Sequence, residues 1–267
     1  MARRLAIHGA AGRLGLAIVR VLPEAPELEL VAALGRGAAL GQDVGTLAGA
    51  EALGVRITDG IEAAISDADV VIDTSHPTAS LPLFERLEVH GKPVVIATTG
   101  FEAEGLRAIE RLGRRVPVVF APSYSQGVTV LFHLAARAAE RLGEGFDAEI
   151  VEMHHRRKVD APSGTAVELA AVVAEARGGS YAESAVHGRS GQVGARSDAE
   201  IGVLALRGGD VVGEHTLILA GLGERLELVH RATDRHIFAR GAVRAARWVV
   251  GRQPGVYDMF DVMGVER

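Results

Sequence analysis

The feature that most constrains this chain is the run G-A-A-G-R-L-G, in which Gly9, Gly12 and Gly15 follow an apolar stretch at residues 5–7 and open a helical pattern over 13–21. A backbone that turns tightly from strand into helix, and leaves the helix N–H groups open to a pyrophosphate, has no room for side chains there. The spacing is not the usual G-x-G-x-x-G, and a turn packed tightly for structural reasons alone would read the same way. Context favours the ligand. Apolar runs at 28–34, 69–72, 93–97 and 116–120 read as buried strands, and 61–65, 77–90 and 102–112 carry helical spacing, with Asp59 and Glu62 marking a helix start. Strand and helix alternating in this way predict an α/β chain with a Rossmann-like, doubly wound parallel sheet.

The pattern then changes. A helical run at 128–141 is followed by a strand at 148–153, a helix at 165–177, a Gly/Ser-rich loop at 178–197 and three closely spaced strands at 201–206, 211–219 and 225–229. That spacing predicts a second, α+β domain on a mixed sheet. A last helix at 237–250, closed by Gly251, has no strand near it and is expected to return to the first domain. The expected division is 1–125 plus 237–267 for a dinucleotide and 126–236 for substrate binding and oligomerisation.

Charge narrows the partners. With 29 Lys+Arg against 34 Asp+Glu and a net charge of -5, the chain is not expected to bind nucleic acid. An apolar run long enough to span a membrane is not evident, and the absence of cysteine suits a cytoplasmic setting. Against this acidic background, His154, His155, Arg156, Arg157 and Lys158 stand in consecutive positions, and Ser163-Gly164-Thr165 opens a helix soon after, with Thr165 and Glu168 spaced as a capping box. A helix start beside histidines and a lysine is a receptor for a carboxylate. A histidine can shuttle a proton near neutrality, and a lysine crowded by cations can act as an acid. The plainer reading is a solvated basic turn before a capped helix. No metal is expected, because neighbouring histidines on a strand point to opposite faces. His133, His187, His215, His230 and His236 carry no individual signal.

The second strand ends at Leu34, where an acid would grip the ribose of NAD, yet Gly35 and Arg36 follow. A guanidinium there suits a 2′-phosphate and predicts a preference for NADPH over NADH, although an exposed loop arginine would look no different.

The chain resembles the dihydrodipicolinate reductase family from residue 5 to about residue 262. The resemblance rests on H-H-R-R-K-V-D-A-P-S-G-T at 154–165, with G-A-A-G-R-L-G, A-T-T-G-F and R-G-G-D-V-V-G-E-H-T in the same order. It implies reduction of 4-hydroxy-tetrahydrodipicolinate by NADPH or NADH in diaminopimelate and lysine biosynthesis, by a homotetramer whose mixed sheet builds the assembly. His154 would then be proton donor or acceptor and Lys158 the proton donor, with His155, Ser163, Gly164 and Thr165 holding the substrate carboxylates. Nucleotide contacts would come from Gly9, Ala10, Ala11, Gly12, Arg13 and Leu14, from Gly35 and Arg36, from Ala97, Thr98 and Thr99, and from Ala121, Pro122, Ser123 and Tyr124. Ser123, Ala97 and Gly35 depart from the family pattern, where asparagine, glycine and often an acid stand; the substrate signature is intact. Two other readings remain open from the residues alone: another NAD(P)-dependent reductase of small oxo or imino carboxylates, and a non-catalytic NADPH sensor.

Overall fold

The computed structural model describes residues 2–266. In chain order the elements are β1 (Arg3–His8), α1 (Arg13–Val21), β2 (Leu28–Leu34), α2 (Val44–Leu47), β3 (Ile57–Thr58), α3 (Ile61–Ser66), β4 (Val70–Asp73), α4 (Pro77–His90), β5 (Val94–Ile96), α5 (Ala103–Gly113) and β6 (Pro117–Phe120). There follow α6 (Gln126–Leu142), β7 (Asp147–His154), α7 (Gly164–Ala176), α8 (Tyr181–Ser184), β8 (Ala185–Val186), β9 (Ile201–Arg207), β10 (Gly213–Gly221), β11 (Glu224–Ala232), α9 (His236–Val249), β12 (Gly255–Tyr257) and α10 (Met259–Met263). The chain divides into two compact units, Met1–Gln126 with His236–Gly264, and Gly127–Arg235 with the residues from Val265.

The first unit is built on an all-parallel sheet of seven strands in the order β12-β6-β5-β4-β1-β2-β3. Its central strands carry continuous apolar runs, such as Leu5–Ile7, Val70–Ile72 and Val94–Ile96, because successive side chains enter cores on opposite faces. Leu5, Ile7, Val70, Ile72, Val95 and Val119 pack with Ile18 of α1 and Ala242 and Ala246 of α9. Ala6, Val71, Val94, Ile96 and Val118 face the other way, against Leu83 and Leu87 of α4 and Ile109 and Leu112 of α5. Truncating a fully buried leucine of this kind to alanine typically costs about 2–5 kcal/mol. The chain runs from β1 outward to β3 and then crosses to β4 on the other side of β1, which opens a crevice at the carboxyl ends of β1 and β4.

The second unit carries a mixed sheet in the order β11-β10-β7-β9-β8, with β7 and β9 parallel and β10 antiparallel to both β7 and β11. Helix α7 covers one face, placing buried Leu169, Ala170 and Val173 over buried Ile150, Val203, Leu217 and Leu219. On the opposite face Leu204, Val151, Thr216 and Val229 lie side by side in register, and Val229 and Leu206 are 43% and 50% exposed.

Several local expectations give way. Helix α3 starts from Gly60, without a side-chain cap from Asp59, and α7 is capped by Ser163 instead of Thr165, its hydroxyl accepting from the Ala166 N–H at 3.2 Å. The stretch read as a 178–197 loop contains α8 and β8. After α9 the chain adds β12 to the sheet edge at β6 and a capped turn of helix, α10. These short elements carry neither a period nor the continuous apolar run that marks the equally short β4 and β5, so the patterning missed them.

Candidate functional site

In the first unit the glycine turn lies where β1 delivers it. Gly9 has a φ of 78°, and a Cβ there would stand 2.8 Å from the Thr74 carbonyl, so no other residue fits between these two strand ends. Gly12 is the N-cap of α1, which has no side-chain cap and no acid in its first turn. Its N–H groups are therefore free to meet an anion. Beside it runs a groove of about 430 Å³ lined by His8, Gly9, Ala11, Gly12, Gly35 and Arg36, together with Asp59 and the Thr74–His76 turn. This is a fit for a dinucleotide: uncapped helix donors, small residues and a guanidinium in one groove. Arg36 suits a 2′-phosphate and Asp59 a 2′-hydroxyl, an acid supplied from beyond β3 and not from the end of β2.

The other expected nucleotide residues occupy different environments. Arg13, Thr99 and Pro122 are exposed, while Leu14, Ala97 and Ser123 are half-buried. Ala10, Ala121 and Tyr124 belong to the core, so they can meet a ligand only through their backbone. The Tyr124 hydroxyl donates to the carbonyls of Ile96 (2.8 Å) and Val119 (3.1 Å), tying β5 to β6. The loop after β5 is fixed by Asp73, whose carbonyl accepts from the N–H of Ala97 and Thr98 and whose carboxylate accepts from Thr98 Oγ1 at 2.9 Å. Asp73 is fully buried and also takes hydrogen bonds from His8 Nδ1 (2.8 Å), Ser75 and Ser80. Burial alone would raise its carboxyl pKa, but the bonds from His8 and the serines outweigh burial and hold it below the usual range.

In the second unit the basic segment leaves the end of β7. Arg156 and Arg157 are exposed, as the solvated-turn reading has it, but His154, His155 and Lys158 are half-buried. His154 Nδ1 lies 2.7 Å from Glu152 Oε2. Glu152 is fully buried and accepts both guanidinium nitrogens of Arg207 at 2.8 Å and the Ser163 N–H at 3.0 Å. Burial pushes its carboxyl up, and the Arg207 and His154 bonds reverse the effect and hold it below the ordinary value. An ionised carboxylate can only accept, so His154 carries its proton on Nδ1, and Nε2 is the atom left for chemistry.

Lys158 does not stand among cations alone: its ammonium donates to both oxygens of Asp160, at 2.9 and 2.7 Å. The Lys158 ammonium in turn holds the Asp160 carboxyl below its usual range. His155 is held below its ordinary value by desolvation and by the positive neighbours Arg235, His154, Lys158 and Arg207. At the start of α7 the Ser163 N–H is taken by Glu152 and the Ala166 N–H by Ser163 Oγ. The first-turn donors that remain are those of Gly164 and Thr165. Gly164 is exposed, so an anion can reach them.

Sequence reasoning passed over Glu152, Arg207 and His215. His215 is buried, its ring meets that of His154 edge-on at 5.3 Å, and its Nε2 lies 3.0 Å from Ser163 Oγ. Burial, then the charge of His154, lowers its pKa to about 4. A signal for Glu152 was available, because residues two apart on a strand share a face. Arg207 and His215 open and nearly close the R-G-G-D-V-V-G-E-H-T run, where nothing in the sequence states a role. Among the described residues no group of acids and histidines is placed to hold a metal, and no helix is long and apolar enough to cross a membrane.

Comparison with known proteins gives a consistent picture. A family model described as "Dihydrodipicolinate reductase, N-terminus" matches residues 3–124, and one described as "Dihydrodipicolinate reductase, C-terminus" matches residues 127–263. The chain is 50% identical to a 4-hydroxy-tetrahydrodipicolinate reductase of Thiobacillus denitrificans, covering 100% of both chains. It is 46% identical to the enzyme of that name from Syntrophotalea carbinolica, covering 98% of this chain and 99% of the other. A dipicolinate-bound dihydrodipicolinate reductase from Paenisporosarcina sp. TG-14 superposes with a TM-score of 0.79 at 25% identity, covering 98% of this chain and 99% of that one.

Proposed function

The chain belongs to the dihydrodipicolinate reductase family, and from that premise we propose how its residues divide the work. The protein is an NAD(P)H-dependent oxidoreductase that reduces 4-hydroxy-tetrahydrodipicolinate to tetrahydrodipicolinate, a step of diaminopimelate and lysine biosynthesis. The observation that carries the assignment of roles is the α7 start, where the open Gly164 and Thr165 N–H groups adjoin a segment bearing His154, His155 and Lys158. Those donors, with His155, receive the substrate carboxylates, and Ser163 holds them in place as cap.

Loss of water from the substrate gives a conjugated cyclic imine dicarboxylate. The nicotinamide, when bound, supplies the hydride. Addition of hydride leaves electron density on the neighbouring carbon, which takes a proton from the enzyme. Lys158 delivers that proton once its ammonium turns from Asp160, and His154, through Nε2, acts in the loss of water that comes first, as donor to the departing hydroxyl or acceptor of the proton given up by the neighbouring carbon. The cationic turn and the helix dipole stabilise the negative charge that develops in between, commonly the largest catalytic contribution. The groove beside Gly9 and Gly12 holds the pyrophosphate, and Arg36 turns the preference toward NADPH.

The open face of the mixed sheet, with its row Leu204, Val151, Thr216 and Val229, supports assembly of a homotetramer through this sheet. The lack of cysteine suits a cytoplasmic setting. The decisive experiment follows nicotinamide absorbance with freshly generated substrate, using NADPH and NADH in parallel and pyridine-2,6-dicarboxylate as competitor. Rapid oxidation, competitively inhibited, supports the reading; nucleotide binding without oxidation would turn it toward another small carboxylate.

A further inference from the structure

We infer that Glu152 is a positioning residue, a single buried carboxylate that sets the tautomer of His154 and fixes, relative to it, both the Lys158 turn and the helix start that receives the substrate. The inference rests on the roles given above to His154, Lys158 and the α7 start.

Four donors converge on two oxygens. Glu152 Oε2 accepts from His154 Nδ1 and one Arg207 nitrogen, and Oε1 accepts from the other Arg207 nitrogen and the Ser163 N–H. The same Arg207 nitrogen that meets Oε1 also donates to the Asp160 carbonyl at 2.7 Å. The carboxylate therefore ties three pieces of the site together: the imidazole at the end of β7, the 155–160 turn that carries Lys158, and residue 163, from which α7 departs. Each piece alone has freedom that a proton transfer cannot tolerate, since small misplacements of a reacting group cost large factors in rate. A neutral side chain of the same shape cannot replace it. Glutamine offers one oxygen and turns two N–H groups toward donors, leaving at least one of them without an acceptor.

The charge matters as well as the shape. The titratable and charged groups facing His154 are Glu152 from its own strand, Arg207 from β9, His215 from β10, and His155 and Lys158 from the turn that follows. Glu152 is the one carboxylate among them. Without it, a proton arriving on His154 would lose the one carboxylate bonded to its ring, and Asp160 would remain only across Lys158.

The test compares Glu152→Gln and Glu152→Asp in the otherwise native chain and in a His154→Ala background, reading kcat, KM and the pH profile with saturating NADPH. In the native background Glu152→Gln lowers kcat about 10- to 100-fold, by analogy with the loss when the hydrogen-bond partner of a metal-bound imidazole is removed. It moves the basic limb of the kcat–pH profile to lower pH, and Glu152→Asp, which keeps the charge, leaves that limb in place. In the His154→Ala background the same change costs less than in the native one, because the part of its effect that runs through the imidazole is already gone, while the Lys158 turn and the α7 start still depend on Glu152. Equal losses in both backgrounds, or an unmoved limb in folded Glu152→Gln, would overturn the positioning of His154 by Glu152 and leave His154 intact as the proton-transfer group. Near-native kcat in His154→Ala alone would overturn the underlying assignment and this inference with it. A measurement on the native protein guards against a variant that fails to fold. Long-range 15N–1H NMR of neutral His154 shows the proton on Nδ1 if the inference holds, and a proton on Nε2 with Nδ1 bare refutes it.

Discussion

Each unit contains a fully buried carboxylate near the carboxyl end of a strand, and each accepts a hydrogen bond from a histidine Nδ1: Asp73 from His8 at 2.8 Å, Glu152 from His154 at 2.7 Å. The remaining donors differ. Asp73 is surrounded by the hydroxyls of Ser75, Ser80 and Thr98, neutral groups from the loops it shapes. Glu152 faces a guanidinium, and its histidine adjoins a cationic turn. One carboxylate holds loops in shape around a groove; the other also holds charge next to the groups proposed to move protons. Removing the first should therefore register mainly in stability, and disturbing the surroundings of the second mainly in turnover and pH dependence.

The comparison breaks most visibly at Asp73. Asp73→Ala removes the shared acceptor of His8, Ser75, Ser80 and Thr98, three of them buried, and chemical denaturation should show a loss of at least about 3 kcal/mol. A loss below about 1 kcal/mol would mean that the loops hold without it. At the other pole, Lys158→Ala should lower turnover at least about 10²-fold, the low end for a positioned acid, with NADPH affinity unchanged in a fluorescence titration. Near-native turnover in that variant, with its fold intact, removes Lys158 from the mechanism.

A smaller effect comes from His215, whose pKa falls to about 4 in the folded chain. The folded protein keeps this imidazole neutral while the unfolded chain protonates it below about 6.5, so stability declines as pH falls from about 6.5 toward 4. Between pH 7 and pH 5 this amounts to about 2 kcal/mol, and the decline should shrink in His215→Gln. His155 and His230, also held below their ordinary value, act in the same direction, and Glu152, held below its own, adds acid sensitivity only at lower pH. The smallest effect sharpens the nucleotide side. Arg36→Ala should cost NADPH about tenfold in kcat/KM, roughly one charge-assisted contact, and leave NADH unaffected. A native enzyme favouring NADH tenfold would assign the groove to Asp59 instead.

Much of the fold is legible in the sequence. Strand apolarity, the glycine turn and the basic run ahead of Ser163 are local signals, because period, turn chemistry and charge density are written in neighbouring residues. The helix cap was read two residues late, at Thr165, because serine and threonine both cap and only the backbone decides between them. The edge strand β12, Gly255–Tyr257, was missed because it lacks the apolar run by which the equally short β5 is read.

The sequence by itself determined that the first unit is a doubly wound sheet, that a glycine turn follows β1, and that a basic run precedes a helix start between residues 154 and 165. Tertiary structure alone decided who meets whom across long separations: Arg207 with Glu152, His215 with Ser163, Asp73 with His8 and Thr98. The physical reason is that a buried carboxylate must find donors wherever the fold brings them. No periodicity along the chain records which strand will come to lie beside another.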